Sequence, residues 1–223
     1  MIPTPDLSHL SAKDYDHVYE PAEDTFLLLD ALEEDEKELK DLHPSISLEI
    51  GPGSGCVSAF IGKILGPSVL YLCSDINPHA CTCTRATGTQ NKVTLDVINA
   101  SFASPLTLRL KHAVDIILFN PPYVPTIQEE MSDAQDKCSI SGSWAGGTDG
   151  MNVTNIFLEH VEELLSERGR FYLVAVAEND VPGIQERMSK LHGLRSEIVL
   201  SRRAGREHLF VIRFIRDPSR SRG

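Results

Sequence analysis

Asn120, Pro121, Pro122 and Tyr123 stand together directly after an apolar run, Val114 to Phe119. An Asn side chain offers a carbonyl acceptor, and a proline removes its own backbone donor while holding φ at about −65°. The tetrapeptide therefore supplies fixed oxygens: the Asn120 side chain and the Pro121 carbonyl. Such a pair suits a planar NH2 group, one hydrogen to each oxygen, with Tyr123 placed to stack on the flat group that carries it. Nitrogen of this kind is a poor nucleophile because its lone pair is delocalised into the adjoining π system. Two acceptors hold it in line with an electrophile, and their dipoles stabilise the positive charge that develops on it. No strong base is required, and none is visible beside the motif. A strand ended by an ordinary Asn-Pro turn is the simpler reading of the four residues by themselves.

A second stretch lies upstream. Leu48-Glu49-Ile50 runs into Gly51-Pro52-Gly53-Ser54-Gly55, and a helical pattern follows. Glycines let the chain turn sharply and approach a ligand, while a helix start offers unpaired N–H groups. Asp75 ends the next apolar stretch, at a distance that suits an acid accepting from ribose hydroxyls. The dinucleotide fingerprint needs a glycine three places after the second one, where this chain has Cys56, so NAD and FAD fit poorly. No Gly-Lys-Ser or Gly-Lys-Thr sequence marks a P-loop. Glycine loop and acid together point to a nucleoside cofactor.

These residues need a frame, and the periodicity supplies one. Glu23 to Leu39 has apolar residues at helical spacing and predicts an amphipathic N-terminal helix. Strands are predicted at Ile46 to Ile50, Val69 to Asp75, Val93 to Ile98, Val114 to Phe119 and Arg170 to Val176. Helices are predicted at Val57 to Leu65, Pro78 to Gln90, Asn152 to Leu165 and Val181 to Leu191. A hairpin of Glu197 to Ser201 and His208 to Ile215 closes the chain. Alternation of strand and helix predicts an α/β sheet, parallel with one antiparallel member. The near-continuous apolarity of Val114 to Phe119 marks a central strand covered on both faces, so the Asn120 motif falls at the carboxyl edge, where open α/β sheets bind ligands. Val124 to Gly150 is long and irregular, a length that usually means function or disorder; it is expected to border substrate, with Gly146 and Gly147 permitting closure over the pocket.

With 223 residues, 41% hydrophobic and 24% charged, the chain can bury a core as one domain, residues 1–223, with fraying expected at 1–15 and 217–223. The apolar runs fall well short of the roughly 20 residues that span a bilayer, and the first residues carry no signal-peptide pattern. A cytoplasmic location, extending to the nucleus, without membrane attachment is expected. Five cysteines without paired CxxC spacing read as reduced, buried thiols, and no metal site is expected. The formal net charge of −11 opposes binding to a nucleic-acid backbone. The arginines near the C-terminus, from Arg202 to Arg222, read as a solvated hairpin and tail.

Tyr19-Glu20-Pro21-Ala22-Glu23-Asp24-Thr25, the Gly51 to Gly55 loop, Asp75-Ile76-Asn77-Pro78, Asn120 to Tyr123, Trp144-Ala145-Gly146-Gly147 and Ala204-Gly205-Arg206-Glu207 occur in one chain in this order. In that combination the sequence resembles the class I methyltransferases, and within them the eukaryotic release-factor glutamine methyltransferases of HemK type. The resemblance implies a Rossmann-like, seven-stranded, mostly parallel sheet with helices on both faces, and S-adenosyl-L-methionine as cofactor. It implies N5-methylation of the glutamine in the Gly-Gly-Gln motif of the class I translation termination factor. It also implies a heterodimer with a small zinc-binding activator protein that extends the sheet at the edge strand Val93 to Ile98; an open edge is an aggregation liability. By the same resemblance, Tyr19, Glu23, Thr25, Glu49, Gly51, Gly53, Asp75, Ile76, Ser101, Phe102 and Asn120 bind the cofactor. Asn120, Pro121 and Tyr123 are catalytic, and Asn120, Pro121, Pro122, Tyr123 and Trp144 hold the substrate. Ser101 is a departure: relatives usually carry an acid there, beside the adenine amino group.

Other readings share parts of this pattern. An adenine-N6 methyltransferase uses the same clamp on an exocyclic amino group but must extrude a base from a charged duplex. Methylation of lysine, including histone lysine, would broaden the substrate range. A cofactor-binding scaffold without catalysis would leave the acceptor geometry of Asn120 and Tyr123 without a chemical use.

Overall fold

The computed structural model describes residues 1–122 and 151–217. Its strands are β1 (Ile46–Ile50), β2 (Leu70–Asp75), β3 (Leu95–Asn99), β4 (Val114–Phe119), β5 (Leu165–Val176), β6 (Leu194–Ala204) and β7 (Glu207–Arg216). They form one seven-stranded sheet in the order β3-β2-β1-β4-β5-β7-β6. Neighbours pair parallel except β7, which runs antiparallel to both β5 and β6. This is the class I methyltransferase arrangement, with the single antiparallel member that the terminal hairpin predicts. The chain builds outward from β1 through β2 to β3 and then returns to place β4 on the other side of β1. Loops leaving β1 and β4 therefore diverge to opposite faces, which opens a crevice at their carboxyl ends.

Helices α1 (Ala12–Tyr15), α2 (Glu23–Glu34), α3 (Glu36–Asp41), α4 (Cys56–Leu65) and α5 (Pro78–Gln90) precede β3 or connect the first strands. Helices α6 (Asn152–Leu158), α7 (Val161–Leu164) and α8 (Val181–His192) follow β4. Strand β4 shows why helices cover both faces. Ile116 and Leu118 join the core beneath α2 and α4, whereas Ile117 and Phe119 join the core beneath α6 to α8, and all four are essentially inaccessible. Side chains alternate across a strand, so an unbroken apolar run is stable only between two covered faces.

Several sequence expectations shift for identifiable reasons. The helix expected over Glu23 to Leu39 breaks at Asp35, whose carboxylate turns inward to accept from Tyr172 Oη at 2.6 Å and Arg213 Nη1 at 2.7 Å. The helix expected over Asn152 to Leu165 is two short pieces, and β5 starts at Leu165 because that residue pairs with Val114. The edge strand is Leu95–Asn99 rather than Val93 to Ile98. Residues 1–15, expected to fray, are tied down: Ile2 N donates to Glu33 at 2.7 Å, Asp6 N donates to Asn91 Oδ1 at 2.8 Å, and Ile2 and Leu7 pack on the core.

The arginines of the hairpin are mostly not a solvated fringe. Arg213 bridges Asp35, Glu38 and Glu197, Arg216 pairs with Glu162, and Arg202 pairs with Asp30. Each of these three joins the hairpin to a helix or to the turn between helices. Residues 218–223 lie outside the described residues. Cys56, Cys73, Cys81 and Cys83 are free and buried, and burial raises all four thiols above their ordinary range. Among the described residues no helix is long and apolar enough to cross a membrane.

Candidate active site

The carboxyl ends of β1, β2 and β4 frame a cavity of about 560 Å3. Its floor is the glycine loop. Gly51 and Gly53 have φ of 65° and 53°, and a Cβ built on either meets nothing within 4 Å, so their backbone faces open space that a ligand can use. The loop is held from behind by α5. Thr84 Oγ1 donates to the Gly53 carbonyl at 3.1 Å, and Thr87 Oγ1 donates to the Ser54 carbonyl at 2.6 Å. A Cβ on Gly55 would sit 2.8 Å from Thr84 Cα, so the last glycine serves packing while the first two face the cavity.

Asp75 closes β2 beside this loop. One carboxylate oxygen accepts from Asn77 N at 2.9 Å and the other from Gly53 N at 3.2 Å, which aims the group along the cavity wall. Burial nevertheless raises its pKa, as expected of a carboxylate waiting for hydroxyl donors. Glu49, at the end of β1, is deeper. It accepts from Ser58 Oγ, and burial pushes its carboxyl up to about 7, with Asp75 adding a smaller push in the same direction. A cavity lined by Glu49 and Asp75 favours a ligand bearing hydroxyls at one end and positive charge at the other. The loop after β3 completes the wall. Ser101 and Phe102 both face the cavity, and Phe102, held at φ 49°, stacks on Phe157 with ring centroids 5.6 Å apart.

Asn120, Pro121 and Pro122 form the opposite wall, at the end of β4. Asn120 Nδ2 donates to Asp24 Oδ2 at 2.9 Å. Asn120 Oδ1 is buried and, among the described residues, has no hydrogen-bond partner. A buried carbonyl oxygen without a donor is costly, roughly 1–3 kcal/mol, unless a ligand supplies one. The neighbouring Pro121, which has no N–H to offer, lines the same wall. Tyr123 and Trp144, expected to hold substrate, and the segment Val124 to Gly150 lie outside the described residues.

The other cofactor residues divide. Tyr19, Thr25 and Ile76 line the cavity as expected. Glu23 does not: it is exposed, 3.8 Å from Arg202, because it starts α2 on the outer face. The inward residue is its neighbour Asp24, 3% exposed, which sequence reasoning passed over. The signal was present in the helix phase, since Asp24, Leu27, Leu28 and Ala31 follow the i, i+3, i+4, i+7 spacing and are buried together. Outside this cavity, Asp14, His79 and Cys83 bring three ligand-type atoms within 4.8 Å of one another. Asp14 already accepts from Ser11 N and Oγ and contacts His79 Nε2 at 3.0 Å, so the group closes on itself and anchors the N-terminal segment to α5.

A glycine loop, a ribose-type acid and an amino-group clamp around one cavity are what a nucleoside-dependent group transfer needs. Residues 23–137 match the family model of the methyltransferase small domain. This chain belongs to that methyltransferase family. Its relatives include the methyltransferase HEMK2 of Mus musculus, 46% identical over 213 residues, which span 96% of each protein. The eRF1 methyltransferase catalytic subunit mtq2 of Schizosaccharomyces pombe is 42% identical over 226 residues, covering 97% of this chain and 96% of that protein. Full-length identity at this level puts the methyltransferase in the eukaryotic HemK-type branch. Among solved structures, a chain of the E. cuniculi Mtq2–Trm112 complex, responsible for methylation of the eRF1 translation termination factor, superposes with a TM-score of 0.66. It is 24% identical, and the match covers 90% of this methyltransferase and 99% of that chain, which shows a shared fold.

Proposed function

We propose that the protein transfers the methyl group of S-adenosyl-L-methionine to the side-chain nitrogen of a glutamine, the one in the Gly-Gly-Gln motif of a class I translation termination factor. The observation that carries this reading is the buried Asn120 Oδ1, without a hydrogen-bond partner among the described residues, on a residue that lines the same cavity as Pro121, the glycine loop and Asp75. The cofactor supplies a sulfonium-activated methyl group when bound. Asp75 accepts from its ribose, the Gly51 to Gly53 backbone leaves room for its amino-acid part, and Glu49 offers an acid deep in the cavity. Asn120 and Pro121 hold the two amide hydrogens, which directs the nitrogen lone pair along the line of attack. Their oxygen dipoles lie where positive charge develops on that nitrogen. The surplus proton leaves to solvent once the nitrogen has been alkylated, since the charged amide is a strong acid.

Among the described residues strand β3 ends the sheet, and its residues after Leu95 are exposed or half-buried. A small zinc-binding activator protein that adds a strand there would cover Val97 and Ile98 and remove the open edge. The S. pombe relative is described as a catalytic subunit, and the E. cuniculi structure is of a complex, which supports a two-chain enzyme.

The test is transfer of labelled methyl from S-adenosyl-L-methionine to termination factor, to the same factor with its glutamine replaced, and to duplex DNA. Each is assayed with and without the co-expressed activator. Label on the first acceptor alone, increased by the activator, is expected; label on DNA would move the reading to adenine.

A further inference from the structure

We propose that Asp24 is the positioning residue that decides which end of the Asn120 amide faces the methyl acceptor. The inference deepens the glutamine-methylation reading and rests on it. A carboxamide has two ends of nearly equal size, one an acceptor and the other a donor, and the backbone of Asn120 does not distinguish them. Catalysis does. With the oxygen inward, the clamp accepts a substrate N–H; with the NH2 inward, two donors meet and the acceptor is lost.

The surroundings of Asp24 make the choice binary. Its Oδ1 accepts from Thr25 N at 2.7 Å, from Tyr19 Oη at 3.1 Å and from Thr25 Oγ1 at 3.3 Å. Its Oδ2 accepts from Asn120 Nδ2 at 2.9 Å. A carboxylate is an acceptor at both oxygens, so it tolerates only the NH2 end of Asn120. Rotating the amide would set Asn120 Oδ1 against Asp24 Oδ2 with no proton between them. Asp24 and Thr25, in the first turn of α2, are 3% and 6% exposed, so little water reaches the carboxylate to replace the missing donor. The residue that feeds this geometry is 96 positions from Asn120 in the chain, which is why the motif after β4 does not carry its own orientation.

The same contacts predict what an isosteric change does. In Asp24→Asn the backbone N–H of Thr25 still requires an acceptor, so the new amide oxygen takes the Oδ1 position and its NH2 takes the place of Oδ2. That NH2 faces Asn120 and forces it to turn its oxygen away from the acceptor. Asp24→Asn is therefore expected to lower kcat about 100-fold, the scale of losing one aligned dipole. Cofactor affinity should stay within about twofold and the melting temperature close to that of the parent, since size and packing are kept. The exchanged pair Asp24→Asn with Asn120→Asp restores the logic. The Asn at 24 donates to one oxygen of the Asp at 120, and the other oxygen faces the substrate.

The experiment measures single-turnover methyl transfer, cofactor Kd and melting temperature for the activator-bound parent, Asp24→Asn, Asn120→Asp and the exchanged pair. Recovery of at least about tenfold in kcat from Asp24→Asn to the exchanged pair is expected. Full activity in Asp24→Asn overturns the proposal. So does an exchanged pair no faster than Asp24→Asn, or loss of cofactor binding and thermal stability in step with kcat. The parent tests the underlying reading separately. If it labels lysine or adenine and not glutamine, the glutamine reading fails, and the four-protein comparison is made on the acceptor that the parent does methylate.

Discussion

The two halves of the sheet present their polar groups differently. In the hairpin half, β5, β7 and β6, charged side chains reach across to partners: Arg213 meets Asp35, Glu38 and Glu197, and Arg216 meets Glu162. In the parallel half, β3, β2, β1 and β4, polar groups at the strand ends line one cavity. Asn120 Oδ1 has no donor among the described residues, and Glu49 and Asp75 are both held above their ordinary pKa by burial. Paired charges tie the hairpin to its neighbours, whereas polar groups gathered around one cavity prepare the other half for a ligand.

That contrast can be broken from either side. Asn120→Ala removes the acceptor, and kcat should fall about 10²- to 10³-fold while the melting temperature stays near the parental value; a kinetic series with calorimetry checks both. Arg213→Ala acts in the other half. Arg213 and Asp35 are largely buried whereas Glu38 and Glu197 are exposed, so losing the guanidinium should destabilise the fold by about 1–3 kcal/mol, seen as a lower denaturation midpoint, with kcat of the folded fraction unchanged.

Glu49 links the cavity to pH. Its folded pKa, about 7, lies above its ordinary value of 4.5, so the folded state keeps a proton that the unfolded chain has released. The associated stability is fully present below pH 4.5 and is lost as pH rises through 7, an effect of about 3 kcal/mol at most. Glu49→Gln should flatten this slope in denaturant titrations between pH 5 and pH 8. Since only ionised Glu49 attracts positive charge, cofactor Kd in the parent should tighten several-fold from pH 6 to pH 8, and less in the variant.

The smallest effect concerns the cavity wall. Ser101→Asp adds a charged acceptor where the family resemblance implies an acid, and cofactor Kd should improve by about threefold to tenfold, the range of a partly exposed charge-assisted hydrogen bond. A variant that binds no more tightly would remove the explanation for this departure.

Much of the frame was legible because it is written locally. An apolar run between polar segments marks β4, glycines that need positive φ mark the loop after β1, and prolines after an asparagine mark the clamp. Boundaries moved where a distant side chain intervened. Asp35 interrupts the first long helix for the sake of Tyr172 and Arg213, residues contributed by β5 and β7. Glu23 and Asp24 show the limit most clearly. A motif spanning both said that this corner touches the site, but one residue faces solvent and the other the cavity, a difference of about 100° around a helix.

The sequence by itself determined the order of strands and helices, the glycine loop, the acid at the end of β2 and the acceptor motif after β4. Each depends on a few neighbouring residues and on the backbone angles those residues permit. Only the tertiary structure decided that Asp24 holds the Asn120 amide, that β3 ends the sheet and that Arg202, Arg213 and Arg216 are paired. Those outcomes depend on which surfaces meet when the sheet closes against its helices. A hydrogen bond between residues 96 apart has no local signature, because nothing in either segment alone favours it.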